Sequence, residues 1–288
     1  MLYPIELRVH AVCVFYKQLT RFRLVVRLGA FFVEKVSSFT NQRHTKLRYK
    51  KNLHHYFSIA VLISGLLVPI TPGEAKDNEL SRKETRQGWR LLFDGKSLDG
   101  WITSDQKESA RPVESNSINP HRCGAYMMIY EHDVSFFELK VDFRISEPCN
   151  SGVFFYTFPL APREGRDIGY SGMEVAIDSN FTGGYHDTGA IYDLSKPSAN
   201  VMKSPGQWNH LRLRCNGPLI DVFLNHVHIN SIDMRQFTQA NRRPDGSNHK
   251  FDIKYSEHPQ HGYIGLQDHG ADVWYKNIKL RQLRRRSH

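Results

Sequence analysis

The 288-residue sequence has only four cysteines, and none of its apolar runs approaches the ~20 residues a membrane-spanning helix needs. Four cysteines cannot build a disulfide scaffold. Internal repeats and low-complexity tracts are missing. So are GxSxG, P-loop, dinucleotide, HExxH and CxxC motifs, which leaves serine-hydrolase, nucleotide-binding and zinc chemistry without a signature. Asp167, Asp178, Asp187 and Asp268 lack EF-hand spacing, and a divalent cation such as Ca2+ stays open as a cofactor.

A basic surplus is present, but it is confined to the ends. Lys plus Arg number 39 against 29 Asp plus Glu, a net of +10. Residues 1–75 hold 11 of the basic groups and 3 of the acidic ones, which leaves +2 for residues 76–288. Arg281, Arg284, Arg285 and Arg286 more than account for that remainder. The body of the chain has no surplus with which to bind nucleic acid.

The N-terminal third reads as an export signal. Lys46, Arg48, Lys50 and Lys51 precede the apolar run Tyr56–Ile70, and Gly73 and Ala75 form a small-x-small end. This pattern predicts a signal peptide over 46–75, cleaved after Ala75, and a secreted or periplasmic protein. A retained N-terminal membrane anchor is the alternative. Residues 1–45 fit no leader, and we expect translation to start downstream of Met1, near Leu47. The exported chain would carry Cys123, Cys149 and Cys215, either with one disulfide among them or as three buried reduced thiols.

The remaining chain alternates with a period of two. Phe137, Leu139, Val141, Phe143 and Ile145 point one way, and Glu138, Lys140, Asp142 and Arg144 the other. His210–Cys215, Leu219–Asn225, Val227–Ile232, Tyr263–Gln267 and Val273–Leu283 repeat the pattern, with Asn225-His226 as a turn. Breaks such as Asn216-Gly217-Pro218 separate them. The sequence predicts an all-β antiparallel sandwich or jelly roll, with one or two helical turns near Asp233–Gln239. Residues 76–87 are polar and are expected to form a flexible lead-in, and 284–288 a basic tail.

Candidate chemistry lies where strands carry unusual polar faces. On Met173–Asp178, Glu174, Ala176 and Asp178 face away from the core. Gly183–Tyr192 gathers His186, Asp187 and Tyr192 in one loop, as binding loops do. Tyr263, Gly265 and Gln267 share a face that leads into Asp268-His269-Gly270. On a regular strand Glu174 and Asp178 stand roughly 13 Å apart, at about 3.3 Å per residue. A retaining glycosidase pair needs about 5–5.5 Å and an inverting pair about 6.5–9.5 Å. The spacing therefore does not support a two-carboxylate glycosidase.

Eight segments in order resemble the 3-keto-disaccharide hydrolase domain family. Leu92-Phe93-Asp94-Gly95-Lys96 with Gly100-Trp101 is similar to its opening, Phe136–Leu139 and Asn150–Phe155 to two of its strands, and Gly172–Asp178 to a third. Thr188–Tyr192, Gly206–Asn209, Gly262–Gly270 and Tyr275–Ile278 complete the match over 88–283. The resemblance implies a concanavalin A-like sandwich whose concave face cleaves glycosides oxidised at C3. A ketone at C3 acidifies the C2 proton, so one base and one acid suffice for elimination and hydration. On this resemblance Glu174 is the base or a sugar ligand and His269 the acid or enolate stabiliser. Asn150, Asp178, Tyr192 and Gln267, with His186 and Asp187 from the loop, bind the sugar. An oxidoreductase would act upstream. A non-catalytic carbohydrate-binding sandwich is the alternative. Two departures stand out: Tyr156 occupies the place where the family often carries Arg, and Pro112–Ile118 replaces a usual strand.

Overall fold

The computed structural model describes residues 76–284. The expected leader, the segment before it and residues 285–288 lie outside the described residues. Among the described residues none forms a helix long and apolar enough to cross a membrane.

The described chain is an antiparallel β-sandwich. Its strands are β1 (Trp89–Leu91), β2 (Trp101–Thr103), β3 (Met127–Ser135), β4 (Phe137–Ile145), β5 (Asn150–Thr157), β6 (Met173–Asp178), β7 (Asn209–Asn216), β8 (Leu219–Leu224), β9 (Val227–Asp233), β10 (His261–Gln267) and β11 (Val273–Gln282). One sheet has six strands in the order β1-β11-β4-β7-β8-β9, and the other has five in the order β2-β3-β10-β5-β6. The alternation explains the layering. Leu139, Val141, Phe143, Leu211, Leu213, Ile220 and Val222 of the six-stranded sheet share one core with Val153, Phe155, Val175, Ile177, Ile264 and Leu266 of the other. Each such side chain contributes about 1.5–3 kcal/mol by leaving water. The β8–β9 hairpin turns on Asn225 and His226, both at positive φ (48° and 71°), as the right-handed twist of the paired strands requires.

The five-stranded sheet is also apolar on part of its outer face. Met127, Ile129, Phe154 and Ile168 form a second cluster there. Strands β3 and β5 therefore lack clean alternation, because both their faces are covered.

One local expectation changes. The lead-in is docked rather than loose: Ser81 and Glu84 form a capping box on α1 (Arg82–Arg86). Glu84 also reaches Lys140 at 3.0 Å and Lys279 at 2.9 Å on the six-stranded sheet. Asn78 and Asn277 exchange backbone-to-side-chain hydrogen bonds at 2.6 and 2.8 Å. Near Asp233 the helix is a single 3-10 turn, Met234–Gln236, capped by the Asp233 side chain. Cys123, Cys149 and Cys215 are free and buried, the second of the two expected states. Burial pushes the Cys149 thiol up to about 12.

Candidate active site

Strand β6 lies at the edge of the five-stranded sheet, and the chain returns to cover it. Ala176 N donates to Ala190 O at 3.0 Å, Gly189 N to Ala176 O at 2.9 Å and Tyr192 N to Glu174 O at 2.9 Å. This cover satisfies the edge and sets Tyr192 beside Glu174. Register with β5 is regular from Asn150↔Asp178 to Phe155↔Met173. With no bulge in β6, Glu174 and Asp178 keep the roughly 13 Å separation of a regular strand.

Glu174 is only 7% exposed. Its side chain lies across Gly152, where a Cβ would meet Glu174 Oε1 at 2.1 Å. Glycine at 152 is thus the condition for the carboxyl to lie flat on the sheet. No described residue donates a hydrogen bond to that carboxyl. Burial drives its pKa up to about 8, with Lys250 pulling it down and Asp167 pushing it further up. At neutral pH it is mostly protonated, and once ionised it is a stronger base than an exposed glutamate.

Tyr126 faces the same carboxyl. Gln267 Nε2 donates to Tyr126 Oη at 2.9 Å, so the phenol proton points elsewhere. Burial, then the nearby Glu174, raises the Tyr126 pKa. Gln267 is buried, and its Oε1 has no hydrogen-bond partner among the described residues. An orphaned buried acceptor at a cluster of this kind suits a ligand hydroxyl. Gly169 leaves room for the phenol: a Cβ there would stand 2.6 Å from Tyr126 Oη.

Tyr192 stacks on His186, with ring centroids 4.4 Å apart and planes 19° apart. The Lys250 ammonium sits 4.4 Å from the Tyr192 ring and 5.0 Å from that of Tyr170. It has no carboxylate partner among the described residues. Asp193 anchors this arrangement: its Oδ2 accepts from Lys250 N at 2.7 Å, and its Oδ1 pairs with the buried Arg243 at 2.5 Å.

The other expected residues fall in three places. Asn150 and Asp178 face each other across β5 and β6, and Asp178 Oδ1 accepts from Asn180 N at 2.7 Å. Asp187 closes its own loop: it accepts from Thr182 N and Oγ1 at 3.0 Å and from Gly184 N at 2.8 Å. Burial opposes its charge, but these donors outweigh burial and lower its pKa. His269 is exposed in the turn after β10 and contacts no described residue through a hydrogen bond, ion pair or ring. Tyr156, at the family's frequent Arg position, is buried in the core and donates to Gly217 O at 3.2 Å. The cation acting on Glu174 is Lys250.

Tyr126, Lys250 and Gly152 were not among the residues expected from sequence. Gly152 lies inside a matched segment, whereas nothing local marks the other two. A cleft of about 540 Å³ lined by Tyr185, Lys196, Phe237 and Arg243 includes none of Glu174, Tyr126, Tyr192 or Gln267. The Glu174 cluster lies on the sheet, apart from that cleft. Among the described residues no three His, Cys, Asp or Glu side chains converge as a metal site would require.

Known proteins share this chain's sequence pattern and fold. A 3-keto-disaccharide hydrolase of Bacteroides thetaiotaomicron is 22% identical over 233 residues, 68% of this chain and 79% of the relative. A solved structure described as a candidate glycosyl hydrolase of Parabacteroides distasonis is 29% identical, covers 68% of this chain and 99% of its own, and superposes with a TM-score of 0.55. A second such structure from the same organism gives a TM-score of 0.61 at 21% identity, covering 73% of this chain and 100% of its own, a likeness of fold. Residues 88–281 match the model of the 3-keto-alpha-glucoside-1,2-lyase-like domain, and the chain belongs to that family.

Proposed function

We propose that this protein is a glycoside-cleaving enzyme that acts on sugars carrying a ketone at C3. The observation that carries the reading is Glu174, a buried carboxyl with no hydrogen-bonding partner among the described residues, whose pKa is raised to about 8. Abstraction of a C2 proton beside a C3 ketone needs one strong base, and desolvation strengthens a carboxylate in that role. In this reading ionised Glu174 takes the C2 proton. Electrons move to the C3 oxygen, the C1–O bond breaks, and the aglycone oxygen takes a proton. Water then adds to the enone.

His269 is the acid or enolate stabiliser that the family motif points to, and the Tyr126 phenol is a second donor beside Glu174. Asn150, Asp178, Tyr192, His186 and Gln267 bind the sugar, and Asp187 shapes the loop. The substrate must first be oxidised at C3 by another enzyme. We also place the protein outside the cytoplasm, from the signal-peptide pattern over 46–75.

The test is turnover of a 3-keto disaccharide beside its unmodified parent. The keto sugar alone is cleaved, Glu174→Gln stops cleavage without unfolding the protein, and His269→Ala and Tyr126→Phe assign the acid. No turnover by the wild type, or undiminished turnover by Glu174→Gln, overturns the reading.

A further inference from the structure

The outer face of the six-stranded sheet is rich in cations, and most of them are matched. Lys140 and Lys279 share Glu84, Arg212 and Arg281 share Glu138, and Lys276 meets Asp77 at 2.6 Å. Arg144 is different. It makes no ion pair and no hydrogen bond with any described residue, and its Nε is buried without a partner. The nearest carboxylate on its own strand, Asp142, is taken by His210 at 2.6 Å and Asn277 at 2.7 Å.

What Arg144 does have is two indoles. It stands opposite Trp274 in the β4–β11 ladder. The Phe143↔Asn209 pair sets Trp208 next to it on the other side. The guanidinium carbon lies 4.5 Å from the Trp274 ring centre and 5.1 Å from that of Trp208. Both tryptophans are only half-buried. Lys276 adds its ammonium 4.1 Å from the Trp208 ring. The row therefore runs from Trp274 on β11 through Arg144 on β4 to Trp208, just before β7.

Stacking on aromatic rings attracts a guanidinium and orders it while leaving its in-plane N–H donors unused. Those donors match the two oxygens of a carboxylate or sulfate. Half-exposed indoles beside them suit the C–H faces of sugar rings, which need apolar area and a polar rim. The row holds no acid or base positioned for bond cleavage. We propose that Trp208, Arg144 and Trp274 form a second, non-catalytic surface that binds an acidic polysaccharide through its carboxylate or sulfate groups. It lies on the sheet that does not carry Glu174 and uses none of the Glu174 site's residues. It therefore stands or falls independently of the reaction assigned there.

Affinity electrophoresis of the full chain tests this, in gels containing polygalacturonate, dextran sulfate or neutral dextran. The wild type is slowed by at least one acidic polymer and not by neutral dextran, and the two acidic gels tell carboxylate from sulfate recognition. Trp274→Ala and Arg144→Lys each weaken retardation at least tenfold. Both keep the full net charge of +10, so attraction by bulk charge alone predicts no change. Melting curves check folding, and Trp274→Phe replaces the alanine variant if that one unfolds, with a smaller loss expected. No retardation by either acidic polymer, or equal retardation of the wild type and both variants, overturns the proposal.

Discussion

The two outer faces of the sandwich treat buried carboxylates in opposite ways. On the six-stranded sheet Glu138 is 4% exposed and held by two arginines, with Arg212 at 2.7 Å. Burial alone would raise its pKa, but hydrogen bonds from Arg281 and Arg212 outweigh it and the pKa falls. Glu84, between Lys140 and Lys279, is likewise lowered, to about 2. On the five-stranded sheet Glu174 is also buried, has no hydrogen-bond donor among the described residues and is raised to about 8. The same side chain is thus fixed and inert on one face and poised to exchange a proton on the other. Burial raises both groups, and the donors around Glu138 reverse its sign.

Substitution should expose that contrast most sharply in turnover. Glu174→Gln lowers kcat on a 3-keto disaccharide by about 10²–10⁴-fold, the range of a lost general base. Glu138→Gln leaves kcat unchanged, as steady-state rates would show. Gly152→Ala comes next. Its Cβ displaces the Glu174 carboxyl, and a misplacement of about 1 Å costs on the order of 10²-fold in rate. The Cβ also meets Glu174 Cγ and Cδ, so the buried side chain must repack and the melting temperature falls too.

In stability the order reverses at neutral pH. Glu138→Gln removes charge-assisted hydrogen bonds worth about 1.5–3 kcal/mol each in general, so denaturant titration should show it as the weaker fold. Glu174→Gln is neutral or stabilising there. The pH dependence separates the faces further. The lowered pKa of Glu138 gives stability that is present above its unfolded value and lost as pH falls through the folded one. The raised pKa of Glu174 works the other way: its contribution is full below about 4.5 and is lost as pH rises through about 8. Glu174→Gln should therefore melt above the wild type at pH 9 and level with it at pH 4. The smallest effect concerns Lys250. Its ammonium lowers the Glu174 pKa, so Lys250→Met shifts the pH profile of cleavage upward.

The six-stranded sheet was the more legible half of the fold. Its strands bury one face and carry Glu138, Lys140, Asp142 and Arg144 on the other, so the sequence alternates. β3 is apolar at Met127, Met128, Ile129 and Tyr130, because Met127 and Ile129 cover the outer face while Met128 and Tyr130 fill the core. No period-two signal survives that arrangement. Glu174 was legible because a charge interrupts an apolar strand. Tyr126 and Lys250 were not, since they reach it only through the fold, one from the start of β3 and one from a loop anchored by Asp193. Asp187 shows the converse. Its setting among glycines suggested sugar binding, yet both its oxygens are spent holding Thr182 and Gly184. Composition cannot tell a loop-closing aspartate from a ligand-binding one.

The measurement that bears most directly on this account is the pH–rate profile of 3-keto disaccharide cleavage, taken for the wild type and Glu174→Gln. If Glu174 is the base, wild-type kcat/KM rises with pH through a step near 8, and the residual kcat/KM of the variant shows no such step. A wild-type profile flat between pH 6 and 9, or the same step persisting in Glu174→Gln, would contradict it.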